Sequence, residues 1–297
     1  MSAVSGGGSE FPSVRSSRDD RLYELAGRIT ERDRLICRLL FDHRVLTTSQ
    51  VADVAFHSLR KTQERLSVLL AFGVVDRFRP RSWSGSSPNH FTLGPAGAQV
   101  IAAERGVQPS DLGWRREVRT ALATSRHLSH LVGCNGFFTA LIRASRGGAD
   151  FALDEWWSAA RCADAWSVVV RPDAYAVWVE NGFRLPFCFE YDNGTEPLAR
   201  LEAKLPGYAK LARAAKHPTW VLFCFPSAAR EAHARRVLIH PEVPVATATV
   251  APGSSAEGPV WQTVGEGGPR RRLAGLGHPD RALSLVAKTK TQGPRPP

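Results

Sequence analysis

Three acidic residues and one lysine in the second half of the chain have types and a spacing suited to metal-assisted hydrolysis. Asp173 follows Arg171-Pro172, and Glu190 and Asp192 stand two residues apart, so in a strand both point to one face. Clustered carboxylate oxygens are the ligands that Mg²⁺ prefers. A bound metal ion activates water for attack on a phosphodiester, and a nearby lysine neutralises the transition state. We therefore predict that Asp173, Glu190 and Asp192 bind Mg²⁺ and form a catalytic site with Lys204.

Two predicted strands must position these residues. The runs 166–180 and 183–192 flank Asn181-Gly182, a pair typical of a tight hairpin turn. Counting outward from this turn, Asp173 and Glu190 fall nearly opposite each other, where paired Cβ atoms lie about 5 Å apart. The hairpin therefore predicts that the two carboxylates share one site, with Lys204 supplied by the helix that follows.

The elements around this hairpin predict a mixed α/β sheet. A long apolar helix over residues 125–144 and a strand over 151–160 precede it, and a helix over 196–215, a buried strand TWVLFCF and a helix over 227–238 follow it. These elements follow the order αβββαβα, and its αβββαβ part, with the Pro-Asp and Glu-x-Asp motifs, resembles the PD-(D/E)xK nuclease superfamily. The resemblance implies a restriction-endonuclease-like domain over residues 120–250.

The match to that superfamily has one departure. Asp192 occupies the position of the usual lysine, so Lys204 would be a lysine that has moved to the following helix. An inactive, nuclease-like domain is one outcome of this change. The other alternative is that Asp173, Glu190 and Asp192 are strand-end and turn residues without a catalytic role.

The first part of the chain has a different order of elements. Three helices are predicted first: one over residues 30–43, a short one within LTTSQVADVAF and one over 58–73. Two short strands follow, and they flank a Gly/Ser/Pro/Asn-rich turn. A last helix runs from Pro95 to Gly106. Three helices, a hairpin and a helix in this order predict a winged helix-turn-helix domain over residues 26–110.

The third helix and the hairpin of this domain carry exposed basic and polar side chains. In a helix-turn-helix the corresponding helix lies in the major groove, where Arg and Lys read guanine and Gln reads adenine. Arginines at alternate positions of the first hairpin strand share one face. The alternative to DNA binding is that this basic surface contacts another protein. The predicted DNA contacts are Ser58, Arg60, Lys61, Gln63, Arg65, Arg77, Arg79 and Arg81.

Composition agrees with an anionic partner. The net charge is +11, which favours nucleic acid, here double-stranded DNA. The five cysteines are far apart and no apolar run reaches the length of a membrane span, so we expect reduced thiols, a cytoplasmic location and no membrane partner. The Gly/Ser-rich residues 1–25 and the Pro/Gly-rich residues 251–297, with their basic cluster Arg270-Arg271-Arg272, are predicted to be disordered tails.

Asn135 lies among apolar residues on the predicted helix stripe, so its amide must be buried and needs partners. It would either orient a carboxylate of the site or bond nearby backbone in the core. His130 lies on the same helix, but metal binding by His127 and His130 has no further ligand at a supporting spacing.

Several sequence blocks occur in an order that resembles a known family. They are LTTSQVADVAF, GVVDRFRP, SGSSPNHFTLGPAG, HLVGCNGFF, RPDA, FEYDNGTEP and KLPGY. The span from about Arg34 to Phe225 resembles the replication-relaxation family of actinobacterial plasmid and mobile-element proteins. The resemblance implies a role in the replication or mobilisation of a plasmid-like element, together with plasmid replication or transfer proteins.

Two other functions fit the same residues. The first is a winged-helix transcriptional repressor with an α/β dimerisation or ligand domain, which would bind a palindrome as a dimer. The second is an active Mg²⁺-dependent DNA endonuclease, which would use the four residues of the predicted catalytic site.

Overall fold

The computed structural model describes residues 27–80, 87–148, 150–166, 168–215, 219–240, 242–250 and 255–277. The chain is a mixed α and β protein with two sheets. Residues 1–25, predicted as a disordered tail, lie outside the described ranges. Among the described residues, no helix combines the length and the apolar character that a membrane crossing needs.

The first unit is built from helices and one small sheet. Its strands pair antiparallel in the order β1-β3-β2. The elements are α1 (Glu31–His43), β1 (Leu46–Thr47), α2 (Thr48–Ala55), α3 (Leu59–Ala71), β2 (Val75–Phe78), β3 (His90–Leu93) and α4 (Pro95–Arg105).

Local signals explain where these helices begin. Thr30 caps α1 in a reciprocal capping box with Asp33, and Thr47 caps α2 in the same way with Gln50. Each box satisfies two backbone donors that the first helical turn leaves free. The apolar stripes of α1 and α3, which include Ile36 and Leu66, then pack into one core.

The second unit contains a six-stranded sheet in the order β4-β5-β6-β7-β8-β9, in which the pairs β6–β7 and β7–β8 are parallel and the others antiparallel. Short 3₁₀ turns lie at Pro109–Leu112, Ala121–Thr124 and Ala274–Leu276. The remaining elements are α5 (Arg116–Thr120), α6 (Leu128–Ser145), β4 (Phe151–Ser158), α7 (Ala159–Trp166), β5 (Ala174–Glu180), β6 (Phe183–Tyr191), α8 (Leu198–Glu202), α9 (Leu205–Ala215), β7 (Trp220–Phe225), α10 (Ala228–Val237), β8 (Val245–Thr249) and β9 (Gln262–Thr263).

Helices cover both faces of this sheet. Phe137 and Phe138 of α6 pack with Phe187 and Phe189 of β6 on one face. On the other face, residues of α8, α9 and α10, Tyr208 among them, pack on β6, β7 and β8. The central strand β7 is buried along its whole length, as expected for a parallel strand covered on both sides. All five cysteines are buried and free.

One expectation about the strands needs correction. The strand predicted over residues 166–180 begins only at Ala174, because α7 occupies residues 159–166 and Arg171-Pro172-Asp173 precedes β5. The amides of Val169 and Val170 both donate to the carbonyl of Trp166, and Pro172 has no amide to give to a strand ladder. The predicted Pro-Asp motif therefore lies at the entrance to the strand.

The prediction of a disordered tail over residues 251–297 is wrong for residues 255–277. This segment forms β9 against β8 and places Trp261, Leu273 and Leu276 in the main core. Its basic cluster is also ordered, since Arg270 pairs with buried Glu231 and Arg272 pairs with buried Glu180. Residues 278–297 lie outside the described ranges.

Candidate functional site

The hairpin β5–β6 brings Asp173 and Glu190 to one end of the sheet. Glu180 pairs with Phe183 beside the turn and Ala174 pairs with Phe189, so Asp173 stands opposite Glu190 in the next step of the register. The amide of Asp173 donates to the carbonyl of Phe189 at 3.1 Å. This agrees with the register predicted from the Asn181-Gly182 turn.

Both carboxylates line a cleft of about 470 Å³ between α6 and the carboxyl end of β6. Its wall also contains the lysine that precedes α9 and a histidine of α6. We call this site the carboxylate cleft and define it by His130, Asp173, Glu190, Asp192 and Lys204. The four residues of the predicted catalytic site therefore lie in one cleft.

Glu190 is the most enclosed of these residues, with 2% of its surface exposed. Lys204 Nζ lies 2.5 Å from its Oε2, and the hydroxyl of Tyr208 donates to its Oε1. Burial and the nearby charge of Asp173 raise the pKa of Glu190 to about 7, although Lys204 and Tyr208 act in the opposite direction. Glu190 is thus a proton-binding group near neutral pH as well as the partner of a half-buried lysine.

Asp173 is held by a histidine that the sequence analysis did not assign to the site. His130 Nε2 of α6 lies 3.1 Å from Asp173 Oδ2, and the amide of Tyr191 donates to the same oxygen at 2.8 Å. Burial opposes ionisation of Asp173, but these bonds and the charges of His130 and Lys204 lower its pKa. Burial likewise opposes protonation of His130, and Asp173 outweighs it and raises the pKa of His130.

Asp192 directly follows β6 and has different partners from Glu190, although both line the same cleft. Its Oδ2 accepts from Arg230 of α10, and its Oδ1 accepts from the amide of Gly194 at 2.7 Å. These bonds close the turn that follows β6. Asp192 therefore has the turn role that was the alternative in the sequence, and Arg230 is a partner that the sequence analysis missed.

The arrangement does not fit the Mg²⁺ site predicted from the sequence. Asp173, Glu190 and Asp192 each already accept bonds from two groups of the chain. Across the described ranges, no three His, Cys, Asp or Glu side chains are grouped to hold a metal ion. Mg²⁺ binds carboxylate oxygens in near-octahedral geometry, and at Glu190 and Asp192 it would compete for them with Lys204, Tyr208 and Arg230.

The predicted DNA contacts on α3 are mostly exposed. Arg60, Lys61 and Gln63 are exposed along the helix, and Arg60 makes a surface pair with Glu64 one turn later at 2.9 Å. Ser58 is half-buried and stands directly before α3, where its carbonyl accepts from Thr62 at 2.8 Å.

The hairpin arginines follow the predicted alternation. Arg77 of β2 and Arg79, just beyond the strand, are both exposed, with half-buried Phe78 between them. Arg79 donates to Asn89 Oδ1 on the returning arm of the hairpin at 3.1 Å. Arg81 lies outside the described residues. We call Arg60, Lys61, Gln63, Arg77 and Arg79 the basic set.

Arg65 is placed differently from the rest of the predicted contacts. Its guanidinium donates to both carboxylate oxygens of Asp33 in α1, at 2.9 Å and 2.5 Å, and to the carbonyl of Arg28 at 2.8 Å. Asp33 is buried, so the pair joins α3 to α1 in the interior. Arg65 therefore contributes to the packing of α3 against α1, a role that the sequence analysis did not predict.

Comparison with known proteins identifies the family. A model of the replication-relaxation family matches residues 37–220, which is more than half of the chain. The chain belongs to the replication-relaxation family. No curated protein and no solved structure shows a match to it. The replication-relaxation match includes α3, β2 and the whole carboxylate cleft, but it ends at the first residue of β7, before Arg230 and Trp261.

Asn135 lies within the replication-relaxation match and joins its two units. The amide donates to the carbonyls of His43 at 3.0 Å and Val45 at 2.8 Å, both in the first unit. His43 in turn stacks on Trp156 of β4, with ring centroids 3.5 Å apart. Asn135 therefore bonds core backbone, as in the second of its two predicted roles, and orients no carboxylate.

Proposed function

We propose that this member of the replication-relaxation family binds duplex DNA and serves the replication or mobilisation of a plasmid-like element in the cytoplasm. The supporting observation is the basic set, five exposed side chains on α3 and the β2–β3 hairpin. The order of α1, α2 and α3 with a β1-β3-β2 sheet matches the plan of a winged helix, in which α3 would be the recognition helix and the hairpin the wing.

The chemistry of the basic set supports both parts of such an interface. Arg60 and Lys61 suit guanine edges or phosphates, and Gln63 suits adenine. Arg77 and Arg79 share one face of the hairpin, which suits contact with the phosphate backbone. The net charge of +11 adds a sequence-independent attraction to DNA.

Salt-dependent binding tests this proposal. The full chain should bind duplex fragments of its own genetic element, measured by fluorescence anisotropy over a range of salt concentrations. Lys61→Ala and Arg77→Ala should weaken binding, and loss of one phosphate contact should reduce the slope of log K against log salt by about 1. Lys210→Ala, an exposed lysine of α9, is the control. Salt-independent binding, or no binding to any fragment, would contradict the proposal.

The rival function from another class is a transcriptional repressor whose second unit is a dimerisation or ligand domain. A repressor should protect a palindrome upstream of its own gene, whereas a replication or transfer accessory should protect a site beside an origin or a relaxase gene. Footprinting across the encoding element separates the two, and we propose the second result. Replication or transfer proteins of the element are the expected protein partners.

Metal-dependent DNA cleavage is the second candidate, because Asp173, Glu190 and Lys204 share one cleft, in the manner of PD-(D/E)xK nucleases. Against it, the Glu190 oxygens already accept bonds from Lys204 and Tyr208, which would compete with magnesium there. We propose that the carboxylate cleft is inactive and that its domain serves as a platform for DNA or protein. Incubation of supercoiled DNA with Mg²⁺ or Mn²⁺ should yield no product, and cleavage abolished by Asp173→Ala would establish the nuclease instead.

A further inference from the structure

An arginine of the second unit reaches into the turn that precedes α3. Arg146 follows α6, and its Nη1 donates to the carbonyls of Ala52 at 3.2 Å, Asp53 at 2.7 Å and Phe56 at 2.9 Å. Its Nη2 lies 3.3 Å from Nε2 of His57. One guanidinium therefore contacts the last turn of α2 and the two residues beyond it.

These contacts suit the end of a helix. The last carbonyls of a helix lack intrahelical partners, and the helix dipole gives this end partial negative charge. In α2 the amide of Phe56 donates to the carbonyl of Ala52 at 3.0 Å, and Arg146 adds its bonds to this end. Phe56 leaves α2 in an extended conformation, and α3 begins at Leu59. The direction of α3 is thus set within the few residues that Arg146 contacts.

The helix that carries Arg146 is itself anchored to the first unit. Gln50 of α2 donates to the carbonyl of Val132 in α6 at 2.7 Å. Gly136 faces the same glutamine, since a Cβ at that position would lie 3.2 Å from Gln50 Nε2. With the bonds from Asn135, these contacts fix α6 near its middle and leave Arg146 at a defined place beyond its end.

We propose that Arg146 is a positioning residue for DNA binding, which holds the α2–α3 turn from the second unit and so sets the angle at which α3 meets DNA. The proposal rests on the proposed DNA-binding function. Because its terminal nitrogens are engaged by the turn, Arg146 acts through α3 and not through a phosphate. The second unit is then part of the DNA-binding apparatus without touching DNA at this point.

The test compares affinity with salt dependence in the full chain, well below the unfolding temperature. Arg146→Ala should weaken binding to a duplex fragment about two- to thirty-fold, the range expected when a residue acts indirectly on a site. The slope of log K against log salt should remain that of the wild type, because no phosphate contact is lost, whereas Lys61→Ala should reduce it by about 1. If Arg146 only stabilised the fold, Arg146→Ala would leave the DNA affinity unchanged at this temperature.

Two further variants complete the design. Arg236→Ala removes the same charge from an exposed site on α10 and should bind as the wild type does. Arg146→Lys keeps the charge but offers a single nitrogen in place of the guanidinium fork, so this variant too should bind DNA more weakly. It replaces Arg146→Ala in the test if the alanine variant does not fold. In both Arg146 variants, faster amide hydrogen exchange at the end of α2 should accompany the loss of DNA affinity.

The outcomes distinguish this inference from the function on which it rests. Wild-type affinity in both Arg146 variants would overturn the positioning role and leave DNA binding intact. A reduced salt slope in Arg146→Ala would show a phosphate contact and also overturn it. Absence of DNA binding by the wild-type chain would overturn the proposed function, and the positioning role with it.

Discussion

Lys204, in the turn before α9, places its Nζ 2.5 Å from Oε2 of Glu190 on β6. The carboxylate is almost fully buried and the lysine is 31% exposed at its side chain. Removing one partner of such a pair leaves a buried charge without compensation. The protonation state of Glu190 must therefore influence the stability of the whole second unit.

Glu190→Gln should change how the free energy of unfolding depends on pH. Burial raises the pKa of Glu190 from 4.5 to about 7, so the folded chain binds this proton more tightly than the unfolded chain. The stabilisation is complete below the unfolded pKa and is lost as pH rises through about 7. The variant does not titrate there, so its stability relative to the wild type should increase between pH 5 and pH 8, by up to about 1.4 kcal/mol per pH unit.

Urea unfolding at several pH values measures this difference. The charge of Glu190 also helps to raise the pKa of His130, so the difference between the two proteins reports the coupled titration of both groups. Glu202→Gln, an exposed glutamate of α8, should give a curve parallel to that of the wild type. A parallel curve for Glu190→Gln as well would contradict the expected proton binding.

Two arginines of α3 should differ in their contribution to the stability of the fold. Arg65→Ala leaves Asp33, 1% exposed at its side chain, without its main partner and should cost about 3 kcal/mol. Arg60→Ala removes an 88% exposed side chain with only a surface pair and should change stability by less than about 0.5 kcal/mol. Thermal and urea unfolding test both, and equal losses would refute the assignment of Arg65 to packing.

Gly133→Ala should destabilise the chain, although alanine in a helix normally gains about 0.5–1 kcal/mol over glycine. A Cβ at Gly133 in α6 would lie 2.2 Å from the ring of Tyr191, so we expect a loss of about 1–3 kcal/mol from overpacking. In a Tyr191→Ala background the same change should become favourable. An unfavourable effect that persists in that background would show that the ring is not the cause.

Trp261→Ala should test the packing of the segment 255–277. Trp261 is fully buried against Phe137, and its indole donates to the carbonyl of Ala256 at 2.9 Å. Removing it should cost about 3–5 kcal/mol. Val168→Ala, at a side chain that is 97% exposed, should cost less than about 0.5 kcal/mol, and a similarly small loss at Trp261 would place this segment outside the core.

Local patterns predicted the parts of the structure that depend on near neighbours. Period-two alternation and the Asn181-Gly182 turn were enough to place Asp173 opposite Glu190, because hairpin register follows from the turn. Helical periodicity and cap residues such as Thr47 likewise predicted α1, α2 and α3, whose boundaries depend on local bonds.

Contacts between distant parts of the chain were beyond such patterns. The pairing of Arg65 with Asp33 and of Asp192 with Arg230 depends on how helices pack after the chain has folded. The Pro/Gly-rich composition after residue 250 predicts disorder, yet Trp261 packs in a core with strands that lie far earlier in the chain. Long-range packing therefore decides which charges remain available for a partner.

The position of Trp261 in the core also affects how the chain folds during its synthesis. Domains generally fold in the order in which they leave the ribosome, and residues 31–105 are complete long before Trp261 is made. Until the segment 255–277 emerges, Phe137 and Phe187 lack one wall of their core and present apolar surface to water. The second unit of the nascent chain is therefore the part most exposed to aggregation, and it is the part on which chaperones should act.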